Sequence, residues 1–226
     1  MRCSGMIKEK GANTMTDAAK IYHQKRADIL ISNLKRRNFE AFYCATREEA
    51  CSKALELIPE GSSVGWGGCT SAVQIGLPDA IRKGNYTVID RDLAKTPAER
   101  QQLMRQCLLA DVFITGANAI SLDGQMVNID GMGNRVAAIV YGPASVVVIA
   151  GMNKVVDTLE DAYRRAKTVA APINQQRFNG DTPCNVTGSC GNCHNADCIC
   201  NQILVTRNCR PKGRIKFIIV GEELGF

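Results

Sequence analysis

The sequence predicts an α/β fold, a mostly parallel sheet flanked by helices. Three observations point there. Short apolar stretches alternate with helical patterns along the chain, the order of a sheet covered on both faces. "SVVVIAG" (145–151) is apolar almost throughout, as a central parallel strand buried on both faces must be. And 226 residues, 45% of them hydrophobic, suffice for one substantial core. There is no internal repeat.

Element by element, Ala18, Ile21, Tyr22, Ile29, Leu30 and Leu34 recur at helical spacing, so a long amphipathic helix spans about Thr16 to Asn38. "FEAFYCA" is a short strand. "TREEACSKALELI" opens with Thr46 and has Glu49 three residues on, a capping box. Ser63–Gly65 is a short strand, followed by a glycine-rich turn and a helix. "YTVIDR" is a strand. "TPAERQQLMRQCLLA" is a helix with Thr96 as cap and Pro97 at its first position. "DVFITGANAIS" is a buried strand running into a turn, and "GQMVNID" is a hairpin arm. "RVAAIVYG" suits helix or strand. "DTLEDAYRRAKTVAA" is a helix. "NQILVTRN" and "RIKFIIVGE" are terminal strands joined by a Lys-Gly turn. The expected organisation is a disordered tail over residues 1–16 and a single domain over 17–226, with a Cys-rich loop (182–201) inserted before the terminal strands.

Composition narrows the function classes. The net charge of +6 is mildly basic, but Lys and Arg form no block and aromatics are only 5%, which argues against nucleic acid. No run approaches the roughly 18 apolar residues of a membrane span. The N-terminal stretch lacks the apolar run of a secretory signal, so a cytoplasmic, reducing setting is expected. Eleven cysteines, an odd number, suit a fully paired disulfide framework poorly.

Two turns carry the candidate ligand site. In "VGWGGCTSAVQIGL", Gly65, Gly67 and Gly68 turn tightly, and Thr70 and Ser71 open a helix whose free amides favour an anion. The turn is neither a dinucleotide fingerprint nor a Walker A loop. Glycine needed only for packing is the plainer reading. Cys69 lies in the same turn, where the helix N-terminus would lower its pKa; alternatively it is a small residue that fits. "TGANAISLDGQMVNIDGMGNRVAAIVYGP" places Asn118, Asp123, Asn128, Asp130, Asn134 and Arg135 around three glycines. Hairpin chemistry explains much of this. But the stretch comes after a buried strand, and ligands collect beyond the carboxyl ends of parallel strands. The two turns are therefore expected to face one cleft holding a small carboxylate or phosphate. Arg135 would clamp it, or pair with a neighbouring Asp. Asp123 and Asp130 are the only acid–base candidates there. His23 reads as a surface residue.

"TPCNVTGSCGNCHNADCICNQ" contains five cysteines. Cys184, Cys190, Cys193 and Cys200 give C-x5-C-x2-C-x6-C, four thiolates suited to zinc or an iron–sulfur cluster. Cys198 and His194 are alternative ligands. A disulfide or redox switch, and unliganded thiols, are the other readings.

"GWGGCTS", the asparagine-rich stretch, "VVVIAGMNKVV" and the closing "VGEELGF" together resemble the lactate-utilisation (LUD) domain family, from about Ala18 to Phe226. The resemblance implies a fold similar to the ribose-5-phosphate isomerase and CoA-transferase-like group. It further implies a redox or electron-transfer role in oxidising lactate or a related 2-hydroxy acid with partner proteins, and favours [4Fe–4S] over zinc. The Cys-rich segment is an addition to what lactate utilisation protein C needs. Two other functions remain open. One is an isomerase or transferase acting on a phosphorylated sugar or CoA ester, with structural zinc. The other is a redox- or metal-sensing binding module.

Overall fold

The computed structural model describes residues 16–226, so the expected tail, apart from Thr16, lies outside the described residues. Among the described residues, ten strands form two sheets. The larger is β1 (Glu40–Cys44), β2 (Ser63–Trp66), β3 (Thr87–Ile89), β4 (Val112–Gly116), β7 (Ser145–Gly151) and β10 (Ile215–Val220), in the order β1-β10-β7-β4-β2-β3. Every pairing in it is parallel. The smaller is β5 (Ala119–Ser121), β6 (Met126–Asp130), β8 (Val155–Val156) and β9 (Gln202–Thr206), in the order β8-β5-β6-β9.

Side-chain alternation builds the core on both faces of the large sheet. On one face Val146, Val148, Ile215, Phe217 and Ile219 pack against Ala27, Leu30 and Leu34 of α1 (Asp17–Arg36). On the other, Val147, Ile149, Ile218 and Val220 pack against Ala50 and Ala54 of α2 (Arg47–Glu56), with Leu77 and Ile81 further along the chain. Each fully buried Ile or Phe stabilises the fold by about 2 kcal/mol. The Phe39 and Phe217 rings meet edge-on at 5.1 Å. The buried stripe of α1 is narrower than its apolar spacing suggested, because Ile21, Tyr22 and Ile29 remain at least half exposed.

Caps fix the helix starts. Thr46 Oγ1 accepts from Glu49 N, and Glu49 reaches back to accept from Ala45 N at 2.8 Å. Thr96 and Glu99 repeat the arrangement at the start of the helix Pro97–Gln106. Each cap contributes about 1 kcal/mol.

Three elements differ from the sequence reading. "DVFITGANAIS" is two strands, β4 in the large sheet and β5 in the small one, because the chain crosses between sheets at Ala117–Asn118. β9 and β10 are not neighbours. β9 pairs antiparallel with β6 (Asp130 opposite Gln202), while β10 lies between β1 and β7 in the large sheet. The Cys segment contains a short helix, Pro183–Thr187, capped by Thr182. "RVAAIVYG" is settled as helix, over Asn134–Val140. No helix among the described residues is long and apolar enough to cross a membrane.

Candidate functional site

Parallel strands end on one edge, so the segments leaving β2, β4 and β7 are delivered to one place. Beyond β2 comes Gly68–Thr70, at the end of β4 comes Gly116–Asn118, and beyond β7 comes Lys154. They wall a cleft of about 710 Å³ together with Asp130–Arg135, part of the helix Pro97–Gln106, residues 174–178 and Ile199. The glycine turn and the asparagine-rich stretch touch directly. A Cβ on Gly67 would lie 3.3 Å from Phe113 Cζ and 3.4 Å from Arg135 Cγ.

Of the expected ligand residues, Gly68, Thr70, Asn118, Asn134 and Arg135 lie on the cleft wall. Gly65, Gly67, Ser71 and Asn128 do not. Gly65 is inside β2, where a Cβ would stand 2.5 Å from Cys107 Sγ, so packing demands glycine. Ser71 is buried and bonds the Leu224 carbonyl and Lys154. Asn128 is buried between the sheets and donates to the Gly116 carbonyl at 2.9 Å.

Neither acid–base candidate is free. Asp130 accepts from the backbone N–H groups of Arg135 and Val136, capping the helix Asn134–Val140, and from Arg135 Nε at 3.0 Å. Asp123 sits at the β5–β6 hairpin, off the cleft wall, bonded to Arg37, Ser121 and Gln125. Its burial is outweighed by those bonds, which hold its carboxyl below the usual range. Arg135 is fixed by Asp130, Asn118 and the Ile129 carbonyl, the structural pairing that the sequence left open.

The wall is strongly basic. Arg91, Arg100, Arg135, Lys154 and Arg177 line it, against one carboxylate side chain, Asp130. Arg91 is largely buried, and its Nε has no hydrogen-bond partner. Among the described residues, the Arg177 side chain donates only to Asn174 Oδ1. Lys154 is 4% exposed, and burial above all brings its pKa down to about 8. Arg91, Arg100, Lys154 and Arg177 escaped the sequence reading. Only Lys154 had a signal there, a lysine just beyond the end of an apolar parallel strand.

Cys69 lies beside Lys154 and caps a five-residue helix, accepting from Ala72 N at 3.4 Å. Burial pushes its thiol up, against the expected lowering, because so short a helix offsets little of the desolvation. His23 is half-buried, with Nδ1 3.1 Å from the Gly221 carbonyl, rather than on open surface.

The Cys-rich loop contributes Ile199 to the outer wall. Ile199 faces the cleft and packs on Gly131, and Asn201 N donates to the Asp130 carbonyl at 3.0 Å. Asn185 ties the loop to Gln175 and Phe178. Burial, then the neighbouring thiols of Cys198, Cys190 and Cys184, push Cys200 up to about 12. The cysteine donors suit a thiophilic metal in kind. Among the described residues, however, no three His, Cys, Asp or Glu side chains are arranged around one metal position. All ten described cysteines are free thiols.

Among solved structures, a DUF162 family protein from Deinococcus radiodurans aligns with 92% of this chain and 100% of its own, at 13% identity and a TM-score of 0.48. The eIF2B beta subunit from Chaetomium thermophilum aligns over 51% of this chain and 44% of its own, at 20% identity and a TM-score of 0.38. The delta subunit from the same organism aligns over 68% and 63%, at 18% and 0.34. No curated protein matches the sequence. The LUD domain model matches residues 27–220, most of the chain, and the chain belongs to the LUD domain family.

Proposed function

We propose that this LUD domain protein binds a small organic anion in its cleft, a 2-hydroxy or 2-oxo carboxylate or a phosphorylated compound, as part of a redox system that oxidises a 2-hydroxy acid such as lactate. One observation carries the reading: five basic side chains face the cavity, and with Arg135 paired to Asp130 and Arg91 and Arg100 to Asp92, Lys154 and Arg177 have no carboxylate partner among the described residues. An anionic ligand supplies the missing counter-charge. The Cys-rich loop forms part of the same wall and is the redox element of this proposal. Cys184, Cys190, Cys193 and Cys200, with Cys198 beside them, would hold a [4Fe–4S] cluster. Such a cluster supplies one-electron transfer to partner proteins. Zinc in the same place would make the loop a structural clip. Free thiols throughout the described residues accord with a reducing, cytoplasmic setting.

A larger ligand is the second reading. The cleft adjoins a cavity of about 510 Å³ that shares Gly68, Cys69, Thr70, Arg91, Arg100 and Arg177 with it. That continuity favours a phosphorylated sugar or a CoA ester, and with it isomerase or transferase chemistry.

Calorimetry with lactate, pyruvate, ribose 5-phosphate, CoA and inorganic phosphate tests both readings. Binding of carboxylates above CoA supports the first, and the reverse order supports the second. No binding by any of them removes the anion site. Iron and acid-labile sulfide measured on anaerobically purified protein decide the loop: iron with sulfide supports the cluster, zinc alone the clip.

A further inference from the structure

We propose that Lys154 is a covalent centre, forming an imine with the carbonyl carbon of a small oxo acid held in the cleft. This rests on reading the cleft as an anion site and adds the ligand's reactive group and the bond it forms.

Lys154 lies just beyond β7, the strand paired on both sides in the middle of the large sheet, and reaches the cleft floor while only 4% exposed. Its Nζ donates to Ser71 Oγ at 3.0 Å and has no carboxylate partner among the described residues. The titratable groups that bear on it are the Cys69 thiol, Arg165 and Arg135. Arg165 is itself half-buried and donates to the carbonyls of Asn118 and Asn153. A buried ammonium flanked by two guanidinium groups is costly, so the surroundings favour the neutral amine, the nucleophilic form.

The floor beside the amine is closely packed, and glycine at position 116 is what keeps it open to the cleft. A Cβ on Gly116 would lie 3.1 Å from Cys69 Sγ and 4.0 Å from Lys154 Nζ. The glycine thus leaves bare backbone on the cleft floor beside the amine and the thiol. Arg177, and Arg91, whose buried Nε makes no hydrogen bond and only a 3.9 Å ion pair with Asp92, face the same cavity and suit the carboxylate end. A ligand anchored there directs its carbonyl to the floor.

The step balances without an oxidant. The amine lone pair forms the C–N bond, and the carbonyl π pair becomes a hydroxyl by taking the first N–H proton. That hydroxyl then leaves as water with the second N–H proton, giving the imine. Cys69 is the adjacent group able to relay a proton.

The test treats the full chain with glyoxylate or pyruvate, reduces with borohydride, and maps adducts by mass spectrometry of the digest. The expected result is an adduct on the Lys154 peptide, suppressed at least about tenfold by excess inorganic phosphate and absent from Lys154→Met and Lys154→Arg. The wild-type result stands alone should either variant fold poorly. No adduct at Lys154 between about pH 7 and 9, with glyoxylate still binding by calorimetry, overturns the imine and leaves the anion site standing with Lys154 as its clamp. Absence of both adduct and binding overturns both.

Discussion

Arg135 and Asp130 hold each other across five residues, Nε to Oδ1 at 3.0 Å, with both side chains largely buried. The same carboxylate caps the helix Asn134–Val140 through the N–H groups of Arg135 and Val136. The pair therefore builds the cleft wall before any ligand arrives. Asp130→Ala strands a buried guanidinium and two helix amides, and should cost about 3–5 kcal/mol in urea unfolding. A loss under about 1 kcal/mol would show that the pair is dispensable to the wall.

Arg177 offers a cleaner probe of binding. It lines the cleft, has an exposed side chain and, among the described residues, donates only to Asn174. Arg177→Ala should weaken phosphate or pyruvate binding about tenfold, near 1.4 kcal/mol, while the unfolding midpoint stays put. Unchanged affinity in calorimetry removes Arg177 from the site.

Gly65 should not tolerate a methyl group. A Cβ there meets Cys107 Sγ at 2.5 Å. Gly65→Ala should destabilise the fold by about 1–3 kcal/mol. Combined with Cys107→Ala, which removes the obstructing sulfur, the loss should be smaller than the sum of the two single changes. Simple additivity would rule out the clash.

Lys154 gives a pH signature of definite sign. Its folded pKa of about 8 lies below its ordinary 10.5, so between these values the unfolded chain binds the extra proton and stability rises with pH. The gain approaches about 3 kcal/mol at full relief. Buried thiols such as Cys44, raised to about 11, act in the opposite direction between about pH 9 and 11. The quantity to measure is therefore the wild-type unfolding free energy minus that of Lys154→Met, which should climb from about pH 8 upward. A flat difference would show that the folded lysine titrates normally.

Asn185 should govern the order of the Cys-rich loop. Its amide donates to the carbonyls of Gln175 and Phe178, and its Oδ1 accepts from Gln175 and Thr182. In Asn185→Ala, hydrogen exchange over residues 182–201 should quicken about tenfold or more while the large sheet stays protected. Uniform acceleration across both would make Asn185 a global stabiliser instead.

Some of this protein was written locally. Strand period and helix period produced the layered fold, because burial of one face demands it wherever the segment ends up. The apolar run 145–151 marked the central strand, and Thr46 and Thr96 announced their helices. The glycine and asparagine turns were visible because turns need those residue types. The Cys spacing is equally plain in the sequence. What pairs with what over long separations was not legible. β9 joins the small sheet and β10 the large one, since strand partners are chosen by which apolar faces meet and no local pattern encodes that choice. Likewise Arg91, Arg100, Lys154 and Arg177 read as ordinary basic residues scattered along the chain. Their common cleft, and the burial that lowers Lys154, exist only once the parallel strands align their carboxyl ends on one edge. Residue chemistry and periodicity were set by the sequence. The electrostatics of the site were decided by the fold, because desolvation and charge proximity are properties of packing.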